Sequence, residues 1–311
     1  MALMSYSILD ISQWSILSVE EMGSKPKFWV QEPGGPKWLF KHRHRQNVGD
    51  DWAEKIAAEI AETLAIPHAM VELARFEDKP GIISRDLVGS DPPRELVLGN
   101  SLLVEADPTY PQRNRYHVAE HTIERVFTAV GAEFIGLPAE CPINPAISTP
   151  LDLFVGYLML DALIGNTDRH HENWAILQST QTEAVRRAVL CPTFDHASSL
   201  AHVLMDEERA RRLTTRDRGY SVAAFVGKAR SAFYRAQGDR RPLSPIDAFR
   251  EAENRRPDAG AFWREQLLNL DAGILDIIVS QLPDEIMSQT SKRFALELLA
   301  CNRSNLSAEA R

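Results

Sequence analysis

Asp168, His170, Asn173 and Asp195 lie in the stretch from Ser148 to Leu200, among otherwise apolar segments. Their types and spacing suit phosphoryl transfer. Moving a γ-phosphoryl group asks for a carboxylate to orient the attacking hydroxyl, hard oxygen ligands for Mg2+, and a cation on the nucleotide phosphates. An Asp followed five residues later by an Asn, on a loop between a buried helix and a strand, can supply the base and one metal ligand. A second Asp at the end of the next strand can supply the other ligand. Asp and Asn are also ordinary turn formers. The weight therefore rests on the full series of apolar helix, Gly, D-x-H-x-x-N, strand, polar hairpin, strand and Asp.

The elements that must hold these residues can be read from the pattern around them. Thr149 is placed to cap a helix, with Pro150 at its first position and Asp152 as the capping-box acid. Leu151, Phe154, Val155, Leu158 and Ala162 follow the 3.6-residue period, and Met159, Leu160 and Leu163 make the helix apolar nearly all round. Gly165 should end it with a positive φ. Strands are expected at Trp174–Leu177 and Ala188–Leu190. Upstream, residues 1–105 read as a mostly β lobe with one helix, and residues 106–311 as a helical lobe. Strands are expected at Trp14–Val19, Lys27–Val30, Lys37–Lys41, Val71–Ala74 and Gly81–Val88. Lys41 ends an apolar strand. The helix after it should be capped by Asp50 or Asp51 and carries Trp52, Ile56, Ile60 and Leu64 on one face. Glu54 and Glu59 border that face, and either could meet Lys41; Glu54 could instead be a capping-box acid. No Walker A motif and no G-x-G-x-x-G is present, so a P-loop or Rossmann reading has no support.

With these residues in place, Gly165–Asn173 (GNTDRHHEN) resembles the catalytic loop of HipA-like serine/threonine kinases. Its D-R-H-x-x-N is also similar to that of phosphatidylinositol kinases. Pro192–Asp195 (PTFD) resembles the family's metal-binding segment, departing from a strict D-F-G. The resemblance implies an α+β, two-lobed protein-kinase-like fold with a β-rich N-lobe and an all-helical C-lobe. It implies ATP and Mg2+, with Asp168 as base, Asn173 and Asp195 as metal ligands, and His170 structural or phosphate-contacting. Lys41 would hold the α- and β-phosphates, and the family register favours Glu54 as its partner. The turn holding Gly23, Ser24 and Lys25 and ending at Lys27 resembles the family's short phosphate-covering loop. The segment with Arg85 and Leu87 would lead into the hinge at the adenine edge. The acceptor would be a protein hydroxyl, in a compact kinase-core member acting as a toxin or effector, with an antitoxin as a further partner. A lipid or small-molecule kinase of the same fold is the alternative.

A different chemistry is written at His117-Val118-Ala119-Glu120-His121, which matches H-x-x-E-H of inverted zinc peptidases. On a helix from Tyr116 to Val130 both histidines would share a face, but no third ligand is identifiable. Arg209, Arg211, Arg212, Arg216 and Arg218 form a basic cluster, read as a solvated helix face or a guide for an acidic substrate. At 311 residues, 44% hydrophobic and 25% charged, the composition is that of a globular protein with a sizeable core. A net charge of −8 speaks against bulk nucleic-acid binding. Three widely spaced cysteines read as free thiols in a reducing compartment. No apolar run reaches the length of a membrane span and no secretory signal is visible. The expected location is the bacterial cytoplasm, or a host cell reached without a cleavable signal peptide.

Overall fold

The computed structural model describes residues 5–20, 27–43, 48–89, 92–181 and 186–308. The chain opens with β1 (Leu9–Asp10), β2 (Ser15–Val19), β3 (Lys27–Gln31) and β4 (Lys37–His42). Helix α1 (Asp50–Thr63) follows, and then β5 (Val71–Phe76) and β6 (Lys79–Arg85). The six strands form one sheet in the order β1-β5-β6-β4-β3-β2, antiparallel except where β1 joins β5. Alternation gives the sheet two faces. Val30, Trp38, Phe40, Ala74 and Ile83 gather with Ile11 into a small core on one of them. Phe28 on β3, Phe40 on β4 and Phe76 on β5 meet edge-on or tilted on one face of the sheet.

Helix α1 carries Trp52, Ile56 and Ile60 one turn apart, and its alanines let it sit close to its neighbours. It joins the main core, which it shares with the second lobe. Its start differs from expectation. Gly49 is the N-cap, and no side chain caps the helix. Asp51 lies inside the first turn, where one oxygen takes an ion pair from Arg43 at 2.6 Å and the other accepts the Trp52 amide at 2.8 Å.

Past β6 the chain builds a second sheet from β7 (Arg94–Leu98), β8 (Ile135–Gly136), β9 (Ala175–Ser179) and β10 (Ala188–Leu190), in the order β7-β9-β10-β8. Residues 94–105, expected in the first lobe, belong here: β7 pairs along its whole length with β9. The division therefore falls between β6 and β7, and the second lobe, though mainly helical, contains a sheet. Its helices are α2 (Gly99–Ala106), α3 (Ile123–Val130), α4 (Pro150–Ile164), α5 (Asp206–Thr214), α6 (Val222–Val226), α7 (Pro245–Arg255), α8 (Pro257–Asn269), α9 (Ala272–Ser280) and α10 (Gln289–Ser307).

Helix α4 is the axis of this lobe. Thr149 and Asp152 form the expected capping box, with Pro150 in the first turn. The helix is buried on every side, touching α7, α8, α10 and α1. The approach of α8 requires a glycine: a Cβ on Gly156 would fall 2.5 Å from the Trp263 ring. Gly165 closes α4 at φ +66°, turning the chain into the polar loop. All three cysteines are free thiols.

Candidate active site

The loop after α4 is set by one buried guanidinium. Arg169 donates from Nε and Nη2 to the two oxygens of Asp161 on α4, each at 2.8 Å. Its Nη1 reaches the carbonyls of Asn173 at 2.7 Å and Phe194 at 3.1 Å. Burial works against the charge, but Asp161 outweighs it and holds the Arg169 pKa above its ordinary value. A single residue thus fixes the helix, the loop and the segment before Asp195. Asn166 adds a bond from Nδ2 to Asp161 and receives the Asp168 amide on Oδ1.

Asp168 projects from this frame, its side chain 26% exposed. Ser198 Oγ stands 3.5 Å from its Oδ2. Asn173 donates its Nδ2 to the Asp168 carbonyl at 2.7 Å, so its amide oxygen is the atom left to act as a ligand. Asp195 follows β10 with φ +58°, a left-handed conformation that a non-glycine residue adopts at a cost.

From the other lobe, Lys41 at the end of β4 places Nζ 3.4 Å from Asp195 Oδ1. Burial alone would depress this ammonium; Asp195 and Glu54 together raise its pKa instead. Lys27 lies directly across from Lys41 on β3, so two ammonium groups share one face of the sheet. Like charges opposed in this way repel. Burial and Lys41 together push the Lys27 pKa down. Lys27, Lys41, Arg115, Tyr116, Asp168 and Asp195 all line one cavity of about 200 Å3 between the lobes.

Glu54 and Glu59 separate clearly. Glu59 pairs with Lys55 at 2.7 Å, away from the cleft. Glu54 is buried behind Lys41, with His196 Nδ1 3.6 Å from its Oε1. Burial opposes its ionisation, but His196 and Lys41 hold its carboxyl below the usual range. Its other oxygen is buried with no hydrogen-bond partner among the described residues. That is the atom a shift of Lys41 would satisfy.

His170 is buried, with Arg115 Nε at 2.9 Å from Nε2 and the Glu172 amide at 3.1 Å from Nδ1. A neutral imidazole offers one acceptor nitrogen, so both contacts cannot be full hydrogen bonds at once. Burial, followed by the charge of Arg115, pushes its pKa down to about 3. A ring that stays neutral at pH 7 is unsuited to gripping phosphate as a cation. The ring is contacted at both nitrogens and does not line the interlobe cavity.

Arg85 is exposed at the end of β6 opposite Trp38, where the strand stops short of the expected Val88. Leu87 packs beside a small apolar cluster of Ala175, Leu177 and Cys191. Neither lines the interlobe cavity. Gly23, Ser24 and Lys25 lie outside the described residues.

The zinc-peptidase reading fails on backbone geometry. Helix α3 starts only at Ile123, and His117 has φ +58°, so the two histidines do not share a helical face. His121 is buried against Phe233, its ring nitrogens engaged by the Ala232 carbonyl and the Trp174 indole. The arginine cluster also divides. Arg209 is buried on Asp206 and Ser291, while Arg211 and Arg212 pair with Glu208.

No protein-family model matches the sequence, and no curated protein does. Among solved structures, the proinflammatory kinase CtkA of Helicobacter pylori matches with a TM-score of 0.75 at 18% identity, covering 96% of this chain and 95% of that one. HipA of Shewanella oneidensis MR-1, solved with HipB and its operator DNA, matches at 0.56 and 13% identity, covering 100% and 69%. The chain has the HipA-like kinase fold. Both matches span nearly the whole chain, so the likeness includes both lobes and the cleft between them.

Several residues of the site went unnoticed in the sequence. Asp161 and Arg169 left one usable sign, a lone acid inside an apolar helix, since a buried charge demands a partner. Lys27 could have been placed by counting register back from Lys41 through the hairpin. Arg115 and His196 left no local signal, because their partners come from distant elements.

Proposed function

We propose that the chain is an ATP- and Mg2+-dependent protein kinase that phosphorylates a serine or threonine hydroxyl. The observation that carries this reading is the interlobe cluster: two opposed lysines face two aspartates across one cleft. Two ammonium groups held side by side call for an anion of several charges, such as a polyphosphate. Asp168 is placed to accept the hydrogen bond of an acceptor hydroxyl and orient its oxygen. As that oxygen bonds to the γ-phosphorus, the bond to the β–γ bridging oxygen breaks, ADP leaves, and the hydroxyl proton passes to Asp168. Lys41 holds the α- and β-phosphates, and Glu54 keeps its ammonium aligned.

The donor set fits a hard cation. Asp195 and the Asn173 amide oxygen are both oxygen ligands, and Mg2+ usually takes one or two protein oxygens beside phosphate and water. When bound, the ion neutralises charge on the phosphoryl oxygens. A toxin or effector role with an antitoxin-like partner belongs to the same proposal, supported by the HipB that accompanies HipA in its structure. Among the described residues no helix is long and apolar enough to cross a membrane.

Incubation with γ-labelled ATP and Mg2+, alone and with a cell lysate, tests the reading. Asp168→Ala should lower transfer by roughly 10^2 to 10^4-fold while the unfolding midpoint stays put. Full transfer by that variant would refute the assignment. Labelling of lipid instead of protein would favour the alternative acceptor class.

A further inference from the structure

A second cavity, of about 650 Å3, opens on the helical lobe beside the catalytic loop. It shares Ser198 and His202 with the interlobe cleft, and Ser198 Oγ stands 3.5 Å from Asp168 Oδ2. Thr167, the residue before Asp168, also lines it. Whatever sits in this groove is therefore adjacent to the carboxylate that would orient the acceptor hydroxyl.

The groove has a definite chemistry. Val226, Leu243 and Leu298 contribute an apolar floor. Lys228, Arg230 and Arg241 stand on its walls. Among the described residues none of the three has a carboxylate partner; Arg230 donates only to the carbonyls of Gly227 and Ala229. Lys228 and Arg241 are exposed. The one acid in the lining, Asp247, is engaged by Ser244 Oγ at 2.7 Å and has Arg250 at 3.9 Å. Three cations thus face the groove against one carboxylate already held, on a chain whose net charge is −8. Cations kept together without partners on an acidic protein select an anionic occupant.

Resting on the kinase reading above, we propose that this groove binds the acceptor polypeptide and selects acidic residues flanking the phosphorylated hydroxyl, with an apolar side chain on its floor. A polypeptide fits better than a lipid surface. The site is concave, of a volume that takes several side chains, whereas binding to an anionic bilayer relies on an apolar face presented outward with a broad basic surround. The acidic balance of the chain opposes that adsorption.

A positional-scanning library of peptides with a central serine or threonine tests this, using the full chain with ATP and Mg2+. Wild type should phosphorylate peptides with Asp or Glu at a flanking position about tenfold faster than those with Lys there, as expected of several partly exposed ion pairs together. The double variant Lys228→Glu, Arg241→Glu, at two exposed positions, should abolish or reverse that ratio while its thermal unfolding stays near wild type. An unchanged acidic preference in the variant would overturn the proposal. So would a basic or indifferent preference in wild type, or transfer only to phosphatidylcholine vesicles containing phosphatidylinositol 4-phosphate. Failure of the kinase reading looks different: ATP with Mg2+ would not stabilise the protein, and no Asp168-dependent labelling of a lysate protein would occur. If ATP with Mg2+ does stabilise the protein and labelling does depend on Asp168, but the peptides show no acidic preference, only the groove assignment falls.

Discussion

Two ion pairs in this molecule invite comparison. Asp161–Arg169 is buried almost completely, doubly hydrogen-bonded at 2.8 Å, and tied to two further carbonyls. Lys41–Asp195 is longer, at 3.4 Å, with the two side chains 17% and 32% exposed. The first joins parts of one lobe, whereas the second crosses between lobes. A buried charge that loses its partner is costly, so the first pair behaves as structure. A partly solvated pair contributes little to stability and can exchange partners, as the proposed function would ask of a group that meets phosphate or metal. On the proposed reading the site is rigid where Asp168 is held and adjustable where a nucleotide would bind.

Substitutions on each side should separate these roles. Arg169→Met removes the hub and leaves Asp161 buried without its cation, which should cost about 3–5 kcal/mol, read as a fall in the urea midpoint. Transfer should fall with the folded fraction and beyond it, because Asn173 and Phe194 lose their anchor. Lys41→Met should do the reverse, with the urea midpoint nearly constant while transfer drops roughly 10^2 to 10^3-fold. If Lys41→Met unfolds the protein as Arg169→Met does, the contrast between the pairs is mistaken.

The same contrast explains what could be read in the sequence. Local patterns carried α4, its Thr149–Asp152 capping box, the Gly165 stop and the strands beside Lys41, because each depends on near neighbours. They also brought Asp168, Asn173 and Asp195 together, since one helix, one loop and one hairpin connect them. Errors arose where long-range partners decide. Asp51 has the right type for a cap, but the helix starts one residue before it and its carboxylate is shared between Arg43 and the Trp52 amide. The HVAEH run has helical spacing, yet His121 is drawn into the core by Phe233 and Trp174 before a helix can start. Residues Arg94–Leu98 fall in the range assigned to the first lobe with no strand expected there, yet β9, some eighty residues later, pairs with them as β7.

A smaller effect tests the rigid side through pH. Burial pushes His121 down to about 3 and His171 to about 4, beside His170 at about 3. Each stays neutral in the folded chain, while in the unfolded chain it takes up a proton below about pH 6.5. The unfolded state thus binds more protons, so stability is full above pH 6.5 and declines as the pH falls toward 3. Urea unfolding between pH 7 and 4 should show this slope. His121→Gln, which keeps an acceptor for the Trp174 indole, should reduce it by about 1.4 kcal/mol per pH unit, the value of one proton. An unchanged slope would mean that His121 is charged in the fold.

The smallest expected effect concerns the joint between helix and loop. At φ +66° Gly165 sits where an L-residue is strained, and an added Cβ would come 3.4 Å from Asn302 Nδ2. That amide holds the Leu163 carbonyl at 2.9 Å, so the contact is tight without being impossible. Gly165→Ala should cost about 1–2 kcal/mol through backbone strain. Gly165→Asn should cost less in strain, because Asn enters the left-handed region more readily, even though its side chain is larger. If alanine is instead the better tolerated of the two, space beside Asn302 matters more than the turn. The direction in which α4 delivers Asp168 would then be set by the α10 contact, and the rigid half of the site would extend to that helix.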